Sequence, residues 1–249
     1  MPIFGKLAIA DHLGRAPTIA KLATAADEFA IERCAVLTFT NEIDITLGFD
    51  VTPKALHPSI PSYSQVIFRQ HPDGPIGPFT TAELRINARA GTHYLGYCIG
   101  AYTDSAKAVE LLKGRYGAPL TVADVKVERS YYGVRGCIVA NGRAVFDALL
   151  ERPHYISGSD VLYTPNLNLA TYQGKPKLVL QEMEYTIGKA ERGKAVLQQF
   201  DAAAFGDARV KLRQALPATI TECLVRYTGV RFLIDPDVPA LRGTETLAA

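Results

Sequence analysis

Residues 80–90 read TTAELRINARA, and residues 92–103, just beyond Gly91, read THYLGYCIGAYT. In the first stretch Ala82, Leu84, Ile86, Ala88 and Ala90 fall on one side of an extended chain, and Thr81, Glu83, Arg85, Asn87 and Arg89 on the other. A period of two sustained over this length specifies a strand. The glycine between the stretches makes them two adjacent antiparallel strands. Ala82, Leu84 and Ile86 are expected to pack against another layer, because the opposite parity would bury Glu83 and Arg85 without partners.

The same reading extends in both directions. ERCAVLTFT (32–40) is rich in β-branched and aromatic residues, as are LVLQEMEYTIG (178–188) and TECLVRYTGVRFLID (221–235). VKVERSYYGVRGCIVANGRAVF (125–146) reads as successive hairpins, with Asn141-Gly142 a two-residue turn in which both positions accept positive φ. In 221–235 the apolar parity changes at Gly229, which predicts a bulge there. Two helices are expected. One covers about 104–116, capped by Thr103 or Asp104 and stopped by Gly117 and Pro119; the other covers about 207–216, stopped by Pro217. The Ala-rich residues 1–31, broken by Pro17, read as an arm that packs across the domain or against a neighbouring subunit. Many strands and few helices, without regular alternation, give a β-rich α+β fold. It is expected as one domain over 1–249, with an antiparallel, cone-like or closed barrel sheet and a few helices outside it.

Composition narrows the function. Of 249 residues 48% are hydrophobic and 21% charged, which is enough for a sizeable core. Lys and Arg number 27 against 25 Asp and Glu, a net charge of +2, too balanced for a protein whose main work is neutralising phosphates. No apolar run has the length of a membrane helix, and the first residues do not read as a secretory signal. The cysteines at 34, 98, 137 and 223 are scattered and read as reduced thiols of a cytoplasmic protein. There is no GxGxxG, P-loop, GxSxG or HExxH, and the five histidines show no metal-ligand spacing, so neither a metal nor an organic cofactor is expected.

Within YLGYCIGAYTDSAKAVELLKGRYGAPLTVADVKVE (94–128) lies the segment Tyr116-Gly117-Ala118-Pro119-Leu120-Thr121-Val122-Ala123. It resembles the acetoacetate decarboxylase family, in which a strand, an acidic turn and a helix lead into an aromatic-Gly-x-Pro-Lys-Lys segment. TPKALHPSIPSY (52–63), GPFTTAE (77–83), LVLQEMEYTIG and AVLQQFDAAA (195–204) resemble further pieces of that family in the same order. The resemblance runs from about residue 33 onward. It implies the family's fold, a homo-oligomer and a pocket beside the Pro119–Val122 turn.

The departures from the family bear on its chemistry. Family members form a Schiff base on a lysine of the pair, whose neighbour and desolvated surroundings lower its pKa. Leu120 and Thr121 stand at those positions, and neither can form an imine. The two pocket glutamates of the family align with Val66 and Thr81, while Gln65 and Glu83 lie close by; a family arginine aligns with Arg33, or with Cys34 after a shift of one residue. The resemblance therefore implies a pocket in which Glu83, Arg33 and Thr121 are the candidate catalytic groups and Thr81, Gln65, Leu120 and Tyr116 the candidate substrate contacts. The expected activity is that of a cofactor-independent, decarboxylase-like lyase. Its substrate would be a small organic acid that brings its own conjugated electron sink, with Arg33 holding the carboxylate and Glu83 or a tyrosine moving the proton. The alternatives are a hydratase or hydrolase, or a small-molecule binding protein without turnover.

Overall fold

The computed structural model describes residues 3–240 and 246–247. The long strands are β1 (Phe29–Glu42), β2 (Tyr63–His71), β3 (Phe79–Ala90), β4 (His93–Thr103), β5 (Leu120–Val122), β6 (Asp124–Ser130), β7 (Gly133–Ala140), β8 (Arg143–Ile156), β9 (Asn166–Tyr172), β10 (Lys175–Gln181), β11 (Met183–Phe200), β12 (Ala218–Tyr227) and β13 (Phe232–Ile234). They hydrogen-bond in the succession β6–β7–β8–β11–β12–β1–β2–β3–β4–β9–β10–β13. β3 and β4 are antiparallel neighbours and Ala82, Leu84 and Ile86 are buried, as the alternation requires.

Two expectations about the sheet are corrected. β4 pairs in parallel with β5 and with β9, so the sheet is mixed. The succession also does not close: among the described residues β6 and β13 do not pair. Instead β6–β8 curl back over the outer face of β2 and β3, where Val125, Val134, Ile138 and Phe146 join Phe68, Leu84 and Phe39 in one apolar core. A second core fills the inner face, from Ile31, Val36 and Ile67 to Ala101, Leu120 and Val225. The central strands are therefore buried on both sides.

Asn141 (φ 53°) and Gly142 (φ 74°) make the predicted turn between β7 and β8. The first helix begins at Ala106, capped by Ser105 rather than Thr103 or Asp104, passes through a π turn at Val109–Lys113, and ends at Gly117 with φ 67°. The predicted helix over 207–216 is absent. Asp207 turns the chain by accepting from the Arg209 N–H, and residues 214–215 pair with 41–42 as a strand fragment; the helix nearby is Ala202–Phe205. No bulge forms at Gly229: β12 stops at Tyr227, and Gly229 passes under Thr24 and Ala25, where a Cβ would lie 2.7 Å from the Thr24 carbonyl carbon. The arm lies across the sheet, burying Leu7, Ile9, Ile19 and Leu22, and its last residues, 29–31, belong to β1. No helix among the described residues is long and apolar enough to cross a membrane.

Candidate functional site

Residues directly opposite one another in neighbouring strands share a face. Ile67, Glu83, Ala101 and Leu120 form one such row across β2, β3, β4 and β5. The polar side of β3 thus points into the second core, not to solvent, and the charges on it must be paired.

They are paired largely with one another. Glu83 sits 2.9 Å from Arg69 Nη1 and 3.9 Å from Arg85 Nη1, and its Oε2 accepts from Asn166 Nδ2 at 2.6 Å. Arg85 donates to Asn166 Oδ1 (2.6 Å), to the Thr164 carbonyl (2.9 Å) and to Gln65 Oε1 (3.0 Å). Its stem lies flat over Gly96, where a Cβ would come within 2.5 Å of Arg85 Cδ; that glycine is the seat of the arginine. Arg69 also donates to the Tyr185 hydroxyl at 3.0 Å. Arg69, Arg85 and Glu83 are 2%, 1% and 6% exposed, so this is an ion cluster inside the protein.

The cluster holds two guanidiniums and one carboxylate. The other buried carboxylates are engaged elsewhere, Glu191 with Arg129 and Lys189, and Asp207 with His12 and Arg209. Burial pushes Arg85 below its ordinary range, Glu83 opposes the shift and Arg69 adds to it. For Arg69 burial is the largest single influence and pulls the pKa down, but Glu83, Tyr185 and Tyr227 together outweigh it, and the pKa rises. Arg69 Nη2 and Arg85 Nε have no hydrogen-bond partner among the described residues. Burial raises the Tyr185 phenol against the pull of Arg69, and also raises the Cys98 thiol. Burial, with Arg69 adding to it, pushes His71 down to about 3, so the ring is neutral where it meets the Tyr227 hydroxyl at 2.8 Å.

A cavity of about 430 Å³ opens beside the cluster. Its walls include Gln65 and Thr164, both hydrogen-bonded to Arg85, together with Asn87 and Arg89 from the same face of β3. Asn87 Oδ1 and Thr164 Oγ1 are buried without partners among the described residues. Gln65 thus touches both the cavity and the guanidinium, its amide oxygen accepting from Arg85.

The structure separates the residues singled out from the sequence. Glu83, Gln65 and Thr81 share the inner face, with Thr81 opposite Arg69 in register. Leu120 and Tyr116 are buried in the same inner core. Thr121 points the other way: it is exposed and lines a separate cleft of about 290 Å³ with Arg15 and Lys113. Arg33 is exposed at an irregularity of β1, with φ 53°, and does not reach the cluster. Both departures are matters of parity: Thr121 is one residue past the inward position, and Arg33 one residue before the inward Cys34. The arginines that do reach Glu83 are Arg69 and Arg85. Arg85 was visible as the next polar position of β3, whereas Arg69 was hidden in IFRQH, where apolar neighbours mask the alternation. Among the described residues no three His, Cys, Asp or Glu side chains converge as a metal would require.

No family model matches the sequence, and no curated protein matches it. Solved structures do. The acetoacetate decarboxylase of Legionella pneumophila superposes with a TM-score of 0.72 at 16% identity, covering 81% of this chain and 86% of that one. The fold is that of acetoacetate decarboxylase. An acetoacetate decarboxylase-like enzyme from Sphingomonas wittichii RW1 aligns over 89% of this chain and 93% of its own (TM-score 0.64, 13% identity). The enduracididine biosynthesis enzyme MppR, in a complex with pyruvate, aligns over 82% and 88% (TM-score 0.66, 14% identity). On this acetoacetate decarboxylase-like fold, Leu120 is the inward-facing residue at the position read as the family's lysine pair, in the same row as Glu83.

Proposed function

We propose that the protein binds a small carboxylic acid next to the Arg69–Glu83–Arg85 cluster and acts on it as a lyase of decarboxylase type, without a Schiff base. The observation that carries this reading is the charge count: two buried guanidiniums face one carboxylate, and Arg85 is the cation left short of a counter-ion. An anion that displaces the Gln65 amide from Arg85 supplies the missing charge through charge-assisted hydrogen bonds.

The neighbouring groups suit the loss of carbon dioxide from a β-keto or vinylogous acid. The bond to the carboxylate breaks, and its electron pair passes into the substrate's own conjugated carbonyl, whose oxygen gains negative charge beside Arg85. A tyrosine of the cavity wall, Tyr63, gives its proton to carbon, and solvent restores it. Glu83 holds the two arginines in place. Leu120 provides no amine, so the substrate's conjugation has to serve as the electron sink.

Gln65→Glu tests this directly, because it places the missing negative charge on Arg85 from within. The variant should be at least as stable as the wild type and bind acids about tenfold more weakly or worse by titration calorimetry. Release of carbon dioxide from a panel of 3-oxo acids reads turnover. Acid binding unaffected by Gln65→Glu refutes the site; acid binding without turnover on any member favours a binding protein on the same scaffold.

A further inference from the structure

The mouth of the cavity beside Arg85 is built unlike its floor. The floor is polar: Gln65, Asn87 and Thr164. The mouth carries Ile60, Tyr94 and Leu162, which are 62%, 60% and 80% exposed. Single exposed apolar residues are ordinary, but three large ones around one opening form a patch that water alone does not favour. Arg89 lines the same wall, directly opposite Tyr94 in the β3–β4 register, and its side chain has no ion-pair partner among the described residues.

We infer that the acid taken by this site carries an aryl body, which lies between Tyr94, Leu162 and Ile60 while its carboxylate reaches Arg85. This rests on the reading of the cavity as the acid's binding site, and it names the class of acid. A volume of about 430 Å³ is far more than a three- or four-carbon acid fills, and it lies in the range of pockets that enclose larger ligands. An aromatic ring suits the opening better than an alkyl chain, because it can stack on Tyr94 and present its π face to the unpaired Arg89. The polar floor then aligns the carboxylate, and the apolar mouth selects among acids by what they carry behind it.

The test uses acids that do not react: propanoate, 3-phenylpropanoate and 3-cyclohexylpropanoate, titrated calorimetrically into the full-length protein. The expected order is 3-phenylpropanoate tighter than propanoate by about tenfold or more, with the cyclohexyl acid between them. Leu162→Asp, a change at an exposed position, should bring the ratio of 3-phenylpropanoate to propanoate affinity close to one. Tyr94→Ala should bring the phenyl and cyclohexyl acids to equal affinity. If 3-phenylpropanoate and propanoate bind alike, and Gln65→Glu weakens both, the acid site stands and the aryl inference falls. If none of the acids binds, the underlying site is wrong. If the ring confers no advantage and Leu162→Asp instead lowers the oligomeric state in sedimentation, the patch is a contact between copies of the chain, and the inference is overturned.

Discussion

Replacing Glu83 by glutamine keeps the shape of the side chain and an acceptor for Asn166, but removes the single negative charge facing Arg69 and Arg85. Both guanidiniums then remain buried, 2% and 1% exposed, with no carboxylate in contact. Removing one partner of a buried ion pair typically costs about 3–5 kcal/mol. For a chain of this length each kcal/mol moves the melting temperature by roughly 2–4 °C, so Glu83→Gln should lower it by roughly 6–20 °C at pH 7 and low salt. Glu151→Gln is the control. Glu151 pairs with Lys194 at 4.0 Å on the surface, and its loss should cost about 1 kcal/mol or less. Glu83→Ala adds a second measurement, because it leaves a gap between two cations that formate or acetate fits. Added formate should restore part of the lost stability of Glu83→Ala, in proportion to the logarithm of its concentration, and leave Glu151→Gln untouched. A loss below about 1 kcal/mol in Glu83→Gln, with no dependence on formate in Glu83→Ala, would refute the claim that this is a tightly paired buried cluster.

Three further outcomes follow from the same geometry. His71 is held neutral in the native state, its pKa pushed down to about 3, whereas the unfolded chain protonates it near 6.5. The unfolded state therefore binds more protons as the pH falls, and stability should drop by about 2 kcal/mol between pH 6.5 and 5 from this group; urea unfolding of His71→Gln should lack that part of the acid limb, and superimposable pH curves would contradict it. Incubation with pyruvate or acetoacetate and borohydride should add no mass to the protein, since Leu120 and Thr121, at the positions read as the family's lysine pair, carry no amine; a stoichiometric adduct on any lysine refutes this. Arg33→Leu and Thr121→Trp, both at exposed positions outside the cluster, should fold normally and bind acids as the wild type does; weakened acid binding in either variant would relocate the site to the 290 Å³ cleft or to β1.

The sequence carried most of the sheet and, in Glu83, Gln65 and Thr81, part of what lies on its inner face, and the division has a physical cause. The alternation of 80–90 fixed both faces of β3, and Asn141-Gly142 fixed a turn, because each is a local pattern that tertiary contacts reinforce. What alternation could not reveal is that the polar face of β3 is also buried. A charged face ordinarily means solvent, and only the arrival of Arg69 from β2 and Asn166 from β9 makes the inner face tolerable for Glu83 and Arg85. Those partners lie 14 and 83 residues from Glu83 in the chain. The turn at 119–122 that the resemblance singled out borders a different cleft from the cavity beside Arg85, and the parity at 120 and 121 is set by the parallel pairing of β4 with β5. The missed turn at Asp207 and the absent bulge at Gly229 share one origin: both positions answer to the N-terminal arm, through His12 and through Thr24.

The burial of β3 on both sides separates two kinds of change along a single strand. Its even-numbered residues belong to a core that would serve any occupant of the fold, while its odd-numbered ones carry the buried charges. Substitutions at 83, 85 or 120 can rewrite the chemistry without loosening the outer layer, provided that charges are gained or lost in matched sets. A protein built on this sheet is thus free to change what its inner face holds from a stable starting point. Its record should be blocks of inner-face residues that drift together, beside an outer core that hardly moves.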